Sequence, residues 1–316
     1  MARVIVAGEA LIDRVMRSDG EVAAIPGGGP FNTARTIARQ GIATSFVGRL
    51  SSDSAGRRLR DELLADGIDL THVVPTDDPT TTAHASVDAG GSATYRFDLD
   101  GTSAAGLTLA DVLATGLVPG TIEVLHVGTL GLVLEPSGTT IERLVDGVAA
   151  SCVVMLDPNA RPSATRDPVA HRARIARLAA RADVIKVSTD DLRYLAPDGE
   201  VESGLAGLLA AGGNPLVLVT DGAAAVDVIS ATGRRRLPVP RVAVVDSVGA
   251  GDAFGGGFLA AWVDGGLGRA GLGDLDVVEA ATRRAIAVAA LTCTRPGAQP
   301  PTRDEVDVVL AARPDR

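Results

Sequence analysis

Residues 246–254 read Asp246-Ser247-Val248-Gly249-Ala250-Gly251-Asp252-Ala253-Phe254, and this stretch decides the fold. An apolar run at 242–245 comes before it, and an apolar helical pattern at 254–262 comes after it. We therefore predict a strand, a glycine turn and the start of a helix. The amides in the first turn of a helix have no partner within the helix, and glycines let a ligand approach the backbone closely. Such a turn is typical of an anion-binding site.

Asp252 stands at the end of this turn, where its carboxylate would compete with a bound anion for the same amides unless it accepts a proton. Phosphoryl transfer to an alcohol requires this arrangement, because an aspartate takes the hydroxyl proton while amides stabilise charge on the phosphoryl group. We interpret Asp252 as the general base of a kinase, with an anion hole formed by Gly249, Ala250, Gly251 and the amide of Asp252. The alternative is a helix cap on an ordinary glycine turn.

The composition describes an acidic protein with a large core. Its 316 residues are 46% hydrophobic but include only five Phe, two Tyr and one Trp, which favours an α/β fold over a β-sandwich. A net charge of −9 and a pI near 5.0 argue against a nucleic-acid surface, which needs a basic stripe. No apolar run is long enough to span a bilayer, and the N-terminus resembles a strand more than a signal peptide. We expect a cytoplasmic protein that binds small molecules and neither nucleic acid nor membranes.

The inventory of reactive residues excludes several common sites. Lys186 is the only lysine in the sequence, so a Walker A loop is impossible. The four histidines lack metal-ligand spacing, and the G-x-S-x-G elbow of hydrolases is absent from the sequence. Cys152 and Cys293 stand in apolar surroundings without a C-x-x-C motif, so we expect buried free thiols.

Apolar runs of strand length alternate with helical patterns along much of the chain. The predicted strands are 4–7, 44–47, 124–127, 153–156, 184–187 and 216–220. The predicted helices, which carry apolar residues at spacings of three and four, are 54–66, 167–182 and 201–211. This alternation predicts an α/β fold with a parallel sheet covered by helices on both sides. Ligands of such sheets bind beyond the carboxyl ends of the strands.

Two segments, 13–26 and 80–97, depart from this alternation of strands and helices, because apolar and polar residues alternate along them over short stretches. The Asp-Ala-Gly-Gly at 88–91 predicts a hairpin turn. We expect antiparallel strands outside the main sheet, drawn from about 12–27 and 77–101, within a single domain of residues 1–316. Because these strands flank the glycines at 27–29, they would form a small lid that excludes water from the pocket. An ordinary edge hairpin is the alternative. An exposed lid edge would also allow a homodimer.

A second glycine-rich patch, Gly27-Gly28-Gly29-Pro30-Phe31-Asn32-Thr33-Ala34, leads into a helical pattern. Asn32 offers a donor and an acceptor, which suits a sugar hydroxyl, and a helix cap is an equal alternative. Asp13, just after the first predicted strand, offers acceptors for two neighbouring hydroxyls. Arg161 follows a strand end, where a ligand contact is expected, and a surface ion pair is its alternative.

The sequences GGGPFNTA at 27–34 and DSVGAGDAF at 246–254 together resemble the two signatures of the PfkB, or ribokinase-like, family of carbohydrate kinases. Segments such as LDPNARPS, ADVIKVSTDDLRYL and LVLVTDGAAAV agree with the family in order and spacing, so the resemblance covers nearly the whole chain. The lysine in ADVIKVS, together with GEALID and PTTTAHASVD, resembles the fructokinase-like branch. The resemblance implies a Rossmann-type parallel sheet flanked by helices, with a small β lid.

The resemblance also implies a role for each matched position. Asp252 is then the catalytic base, with Gly249, Ala250 and Gly251 in the anion hole. The implied sugar contacts are Asp13, Gly28, Gly29, Asn32 and Arg161, with Tyr95 and Phe97 either stacking on the sugar or packing beneath the lid. The implied nucleotide contacts are Lys186, Thr220, Gly222, Gly249 and Gly251, and for Lys186 a solvated position at a strand end is the alternative. Asp246 and Val248 lie where many members bind a monovalent cation, so the implied cofactors are ATP, magnesium held largely through the nucleotide, and potassium.

The expected activity is transfer of the γ-phosphoryl group of ATP to a primary hydroxyl of a hexose-type sugar, with fructose as the first choice. A sugar acid such as 2-keto-3-deoxygluconate and a nucleoside stay open as acceptors. A dinucleotide oxidoreductase is a competitor, because the glycines from 249 to 255 loosely fit a nucleotide-binding pattern. It lacks the required second strand ending in an acidic residue. A third interpretation is a non-catalytic sugar-binding protein on the same fold. Asp252 argues against it, because a protein that only binds sugar has no use for a general base.

Overall fold

Two β-sheets and ten α-helices make up the described part of the computed structural model, which comprises residues 3–16, 22–87, 93–213 and 215–312. The strands are β1 (Val4–Ala7), β2 (Leu11–Met16), β3 (Val22–Gly27), β4 (Thr44–Ser51), β5 (Val73–Thr76), β6 (Thr82–Val87), β7 (Ala93–Asp98), β8 (Val124–Gly128), β9 (Val153–Asp157), β10 (Val184–Ser188), β11 (Leu216–Thr220), β12 (Ala225–Ser230) and β13 (Gly233–Pro238). The helices are α1 (Gly29–Arg39), α2 (Ser54–Ala65), α3 (Leu109–Ala114), α4 (Ser137–Gly147), α5 (Pro168–Arg181), α6 (Thr189–Leu195), α7 (Val201–Ala210), α8 (Ala250–Asp264), α9 (Leu275–Thr292) and α10 (Arg303–Ala311). The six strands and three helices predicted from the alternating patterns are all present, and only β4 runs clearly beyond its predicted end.

The larger sheet has nine strands in the order β13-β12-β11-β10-β9-β8-β1-β4-β5. The strands from β5 to β11 along this order run parallel, whereas β12 and β13 add an antiparallel hairpin at one edge. The order reverses at β1, which pairs with β4 on one side and with β8 on the other. Ligands of open α/β sheets bind beyond the carboxyl ends of the strands at such a reversal. The loops after β1 and β8 therefore mark the expected position of the site.

The side chains of β1 show how this sheet is buried on both faces. Val4 and Val6 belong to a core that includes α1, α8 and α9, whereas Ile5 and Ala7 belong to a second core with α4 and α5. This alternation is the two-residue period of a strand, and burying each large apolar side chain contributes roughly 1.5–3 kcal/mol. On the first face, Phe254, Phe258 and Trp262 of α8 are buried in the same core as Val4 and Val6, which packs this helix over the sheet. The N-terminus of α8 is thereby held at the carboxyl edge.

The smaller sheet has four strands in the order β3-β2-β6-β7. The pairs β2–β3 and β6–β7 are antiparallel, as the alternating patterns predict, but β2 and β6 pair in parallel. The prediction of a purely antiparallel unit is therefore wrong, because the chain passes through α1, β4, α2 and β5 before β6 enters beside β2 in the same direction. The predicted hairpin turn at 88–91 lies outside the described residues.

The apolar run at 242–245 is not the strand that the sequence predicts. Val244 and Val245 are more than 60% exposed, and the Val245 amide donates to the carbonyl of Cys293 over 2.8 Å instead of joining the sheet. The strand that pairs with β12 at the edge of the sheet is β13. Its run of three arginines is not apolar, so the apolar pattern does not predict this strand. The glycine turn thus follows an extended loop. The predicted helix after it is confirmed as α8.

Two smaller expectations can be compared with the structure. Cys152 is a buried free thiol as predicted, whereas Cys293 is only partly buried. Asp167 caps α5 as predicted, because its carboxylate accepts the amide of Ala170 over 2.9 Å. Among the described helices, none is both long and apolar enough to cross a membrane.

Candidate active site

A cavity of about 280 Å³ opens at the carboxyl edge of the large sheet, beneath the smaller sheet. Its walls come from the loops after β1, β8 and β9, from β2 and β7, and from the first turns of α1 and α8. The lining residues are Glu9, Leu11, Asp13, Gly28, Gly29, Asn32, Phe97, Thr129, Leu130, Asn159, Arg161, Ser247, Val248, Gly249, Gly251 and Asp252. The structure thus brings Asp252 together with most of the residues predicted to contact a sugar.

Asp252 lies in the first turn of α8 and is 8% exposed. Asn32 Nδ2 donates to Asp252 Oδ2 over 2.8 Å, and Asn159 Nδ2 reaches Asp252 Oδ1 at 3.5 Å. Burial raises the pKa of Asp252, while the hydrogen bond from Asn32 and the charges of Lys186 and Arg161 act against this rise. Asn32 lies inside α1, whose N-cap is Gly28, so it is not the helix cap considered as its alternative.

The turn before α8 leaves amides available to an anion. Gly249 adopts a left-handed conformation with φ of 76°, and a Cβ there would lie 2.4 Å from Ala298 Cβ, so only glycine fits. The Ala250 amide donates to the Ser247 carbonyl over 3.2 Å. Across the described residues, the amides of Gly251 and Asp252 have no backbone or side-chain acceptor. The Gly249 amide also has no acceptor among these residues, so three amides of the predicted anion hole are unpaired.

Two further carboxyls line the cavity. Glu9 is buried and accepts the amides of Gly29 over 3.1 Å and Gly131 over 2.9 Å. Burial nevertheless raises the pKa of Glu9 to about 7. Asp13 has its pKa raised to about 6, first by burial and then by the charge of Asp252, against the effect of Arg161. Sequence reasoning missed Glu9, although an acid placed two residues after a buried strand is a usable signal.

Thr129 and Asn159 were also missed, and they share an unusual backbone. Both are non-glycine residues with positive φ, 57° for Thr129 and 37° for Asn159. Asn159 Nδ2 lies 3.3 Å from Thr129 Oγ1, so the two strained loops after β8 and β9 meet at the cavity. A β-branched residue in this conformation is a marked outlier, and such outliers cluster at functional sites. Sequence carries little signal for this feature.

Arg161 and the lid aromatics occupy the other walls. Arg161 Nη1 donates to the carbonyls of Asn159 and Ala160 over 3.2 and 3.1 Å, and among the described residues it forms no ion pair within 4.0 Å. The surface ion pair considered as its alternative is therefore absent there. Phe97 lines the cavity from β7. The backbone of Tyr95 pairs with Ala85, and its side chain lies outside the described residues.

A larger cavity of about 370 Å³ lies at the opposite edge, near the start of β10 and β11. Its charged groups are Arg269 and Asp183, which pair with each other over 2.6 Å. It therefore offers no free charge to a ligand, and it lies at the amino ends of the strands. We assign the site to the smaller cavity, where the acids and free amides converge.

Residues 1–305 match the pfkB family of carbohydrate kinases. The chain belongs to this family. It is 38% identical over 261 residues to a fructokinase from Rhizobium leguminosarum bv. trifolii, covering 81% of this chain and 78% of that protein. It is 30% identical over 299 residues to a fructokinase from Salmonella typhimurium, covering 94% and 95%. The predicted family, fold class and enzyme class are confirmed: the protein is a fructokinase-like sugar kinase.

Solved structures of pfkB kinases have the same fold. A fructokinase with bound ATP from Xylella fastidiosa has a TM-score of 0.90 at 27% identity and covers all of both chains. A double-mutant Vibrio cholerae fructokinase in fructose-, ADP- and potassium-bound form has a TM-score of 0.84 at 27% identity, with 98% of each chain covered. An aminoimidazole riboside kinase from Salmonella enterica, complexed with aminoimidazole riboside and an ATP analogue, has a TM-score of 0.82 at 27% identity, covering 97% of this chain and 99% of that one.

Of the predicted nucleotide contacts of this pfkB kinase, Gly249 and Gly251 line the cavity, whereas Lys186, Thr220 and Gly222 do not. Lys186 is 3% exposed within β10 and pairs with Asp157 over 3.0 Å, so its alternative as a solvated lysine is wrong. Thr220 ends β11, with its Oγ1 donating to the Val187 carbonyl over 3.3 Å, and Gly222 follows with φ of 52°. Thr220 and Gly222 therefore lie at the carboxyl edge beside β10.

The predicted cation position is part of the loop that leads to α8. Asp246 Oδ1 accepts the Val248 amide over 3.0 Å, and Asp246 Oδ2 accepts the Gly297 amide over 2.9 Å. The first bond lies within the loop before the anion hole, and the second ties this loop to the loop after α9. Each carboxylate oxygen keeps a further lone pair for a ligand.

Proposed function

We propose that this pfkB kinase transfers the γ-phosphoryl group of ATP to a primary hydroxyl of fructose, with Asp252 as the general base. One observation carries the proposal. The carboxylate of Asp252 is held by Asn32 at the N-terminus of α8, beside the open amides of Gly251 and Asp252 itself. A base and an anion hole therefore face one small cavity, as phosphoryl transfer to an alcohol requires.

The proposed step is a direct in-line displacement. The sugar hydroxyl gives its proton to Asp252 as its oxygen attacks the γ-phosphorus, and the bond from that phosphorus to the leaving oxygen of ADP breaks. The amides at the start of α8 stabilise the negative charge on the transferred group, helped by the helix dipole. Because one displacement transfers the group, no covalent enzyme intermediate forms.

The charge of the cavity favours a neutral sugar as the acceptor. Glu9, Asp13 and Asp252 line it, against Arg161 as its lining cation. A sugar acid such as 2-keto-3-deoxygluconate would meet net repulsion from these carboxyls. Fructose also fits the relatives named fructokinase. A nucleoside is the second candidate, because the aminoimidazole riboside kinase is nearly as similar in structure as the fructokinases.

ATP as donor is supported by the solved relatives that hold ATP or ADP. Among the described residues, no group of three or more His, Cys, Asp or Glu side chains is placed to hold a metal ion. A magnesium ion would therefore arrive bound to the phosphates of ATP, where it would neutralise their charge. Potassium binding at the loop of Asp246 and Val248 is supported by the fructokinase relative that holds a potassium ion. A higher kcat in potassium than in tetramethylammonium would support this site, and an equal kcat would contradict it.

We further propose that the smaller sheet closes over the sugar as a lid. Its strands β2 and β7 supply Leu11, Asp13 and Phe97 to the cavity walls. Crystals with and without fructose that show no relative motion of this sheet would refute the idea.

The outer strands of the smaller sheet, β3 and β7, leave edges that can pair with a second copy of the chain. We therefore expect a dimer in sedimentation experiments. A monomer at all concentrations would contradict this expectation.

The decisive experiment replaces Asp252 by asparagine. We expect Asp252→Asn to lower kcat by roughly 10²- to 10⁴-fold, the range for losing a general base, with nucleotide affinity largely kept. Asp190→Asn is the matched control, because Asp190 is exposed and Arg193 is its sole ion-pair partner in the described part of the chain. ADP release should be assayed with fructose, 2-keto-3-deoxygluconate and nucleosides. A kcat near that of the wild type would refute Asp252 as the base, and turnover of nucleosides alone would replace fructose as the substrate.

A further inference from the structure

The only lysine of the chain, Lys186, is buried in the middle of the parallel sheet. It stands in β10 between valines and isoleucine, where both faces of a parallel strand are normally apolar. Its ammonium pairs with Asp157 over 3.0 Å, and both side chains are less than 5% exposed. A buried ion pair is weak evidence for stability, because apolar residues of similar size often do as well. The charge therefore calls for another explanation.

The position of the ammonium relative to α8 supplies one. A Cβ built on Gly251 would lie 2.9 Å from Lys186 Nζ, so the ammonium lies against the backbone of Gly251. Gly251 also lines the cavity, and its amide is one of the unpaired amides of the anion hole. The charge of Lys186 is thus separated from the cavity by a single glycine. Any side chain at position 251 would have to displace the ammonium.

A cation at this place opposes the usual rule for helices. The N-terminus of a helix carries a partial positive charge of about half an elementary charge, so it favours anions and disfavours lysine. Beside its pair with Asp157, the ammonium is stabilised at this position by negative charge gathered at the same helix end. The carboxylate of Asp252 is one such charge, and an incoming phosphoryl group would be a second.

We infer that Lys186 is a positioning residue for phosphoryl transfer: its ammonium beneath Gly251 keeps Asp252 ionised and strengthens the anion hole at the start of α8. The inference rests on the proposed roles of Asp252 and the anion hole. Asp157 would act as the anchor that holds the ammonium beneath the turn. Lys186 itself would not contact the sugar.

The other charges around this group agree with the assignment. Burial opposes the charge of Lys186, but Asp157, Asp191 and Asp252 outweigh it and raise the lysine pKa. The fourth titratable neighbour is His126 of β8, whose pKa is lowered to about 3 by burial and by Lys186, so it stays neutral. The ammonium is therefore charged at every working pH.

The groups around Asp252 act on its ionisation in opposite directions. Asn32 of α1, Lys186 of β10 and Arg161 favour its ionised form, and burial opposes it. The carboxyls of Glu9 and Asp13, from the loop after β1 and from β2, add negative charge nearby. The loss of Lys186 would leave Arg161 as the main cation acting on the base.

The test compares two variants that both break the ion pair. Lys186→Met removes the charge beneath Gly251. Asp157→Asn removes the carboxylate charge but keeps a side-chain oxygen that can accept a hydrogen bond from the ammonium, so the ammonium stays there. We expect Lys186→Met to lower kcat with fructose about 10- to 100-fold, as loss of a close buried charge would, with the KM for fructose within about threefold. Its acidic limb in the pH profile of kcat should move to higher pH. Asp157→Asn should keep kcat within about fivefold and keep the limb in place. Equal losses in both variants, or an unmoved limb in Lys186→Met, would overturn the inference.

A measurement on the intact enzyme covers the case in which Lys186→Met does not fold. Because the chain has one lysine, protein grown with ¹³C-labelled lysine gives a single ε-carbon signal that needs no assignment. We expect this signal to shift in Asp252→Asn and again when ADP with aluminium fluoride is added to the wild type. A signal unchanged in both experiments would refute the contact. If Asp252→Asn is inactive while Lys186→Met is normal in kcat and pH profile, this inference fails and the proposed function stands.

Discussion

Asn32 and Asp252 stand 220 positions apart in the sequence, yet Asn32 Nδ2 donates to Asp252 Oδ2 over 2.8 Å. The bond joins the first turn of α1 to the first turn of α8, so the two glycine-rich motifs of the chain meet at one contact. The orientation of the proposed base therefore depends on the packing of these two helices. A carboxylate fixed in this way loses little entropy when it accepts a proton from the sugar.

Removing this donor should slow the reaction without unfolding the protein. In Asn32→Ala, Asp252 loses the hydrogen bond that favours its charged form, so its pKa, already raised by burial, rises further. We expect kcat to fall about 10- to 100-fold and the acidic limb of its pH profile to move upward. Thr33→Ala is the matched control, because Thr33 Oγ1 lies 3.5 Å from the Asp252 carbonyl and does not contact the carboxylate. An unmoved limb would mean that Asn32 does not orient the base.

Much of this fold can be predicted from local sequence patterns. The six parallel strands and three helices follow from apolar periodicity, and both glycine motifs place residues where the cavity is found. The chain carries these signals within a few neighbouring residues, so tertiary context is not needed to recognise them.

Other features depend on packing between distant segments, and the sequence does not reveal them. The run at 242–245 is apolar enough for a strand, but its backbone bonds go to Cys293 and β13 holds the sheet edge. Positive φ at Thr129 and Asn159 is imposed where two loops meet, and no composition rule marks it. Lys186 is predicted as a nucleotide contact, with a solvated lysine at a strand end as the alternative. The sequence does not reveal its burial, because that depends on Asp157 from a neighbouring strand.

Arg161 gives a prediction about substrate affinity. Arg161 lines the cavity in which we propose that the sugar binds, whereas Thr220 and Gly222 do not line it. We expect Arg161→Ala to raise the KM for fructose about 10- to 100-fold, as loss of a charged hydrogen bond does, with a smaller change in the KM for ATP. Arg166→Ala is the control, because Arg166 is 79% exposed and pairs with Asp100 at the surface. Equal effects on both KM values would count against a sugar contact.

Glu9 gives a prediction about stability and pH. Its folded pKa is raised from 4.5 to about 7, so the folded protein binds a proton more tightly than the unfolded chain does. The resulting stabilisation is complete below pH 4.5 and is lost as pH rises through 7. Glu9→Gln removes the titratable carboxyl and with it this pH-dependent stabilisation. Relative to the wild type, the variant should therefore gain about 3 kcal/mol in free energy of unfolding between pH 4.5 and pH 8.

Urea denaturation at the two pH values measures this difference, and Trp262, the only tryptophan and fully buried, reports unfolding by fluorescence. Other acids titrate in both proteins, so only the change in the difference between variant and wild type is used. A difference that stays constant between the two pH values would show that folding does not raise the pKa of Glu9.

Arg174 gives a prediction about stability alone, away from the cavity. Its side chain, 11% exposed on α5, donates to Glu142 over 2.8 Å and to the Leu132 carbonyl over 2.9 Å, and it also pairs with Glu135. Arg174→Ala would leave these acceptors partly buried without their partner, at a cost of about 2–4 kcal/mol in free energy of unfolding. Arg177→Ala is the matched control, because Arg177 binds the same Glu142 over 2.8 Å but is 60% exposed.

The two arginines share a helix and an acceptor, so they differ mainly in burial. An exposed ion pair contributes about 0.2–1 kcal/mol, and Arg177→Ala should not exceed that range in urea denaturation. Because Arg174 ties α5 to the loop between β8 and α4, its loss should also loosen the segment that carries Thr129. Hydrogen exchange of the amides of residues 129–134 should then quicken in Arg174→Ala and stay normal in Arg177→Ala. Equal destabilisation by both substitutions would show that burial does not decide the strength of this network.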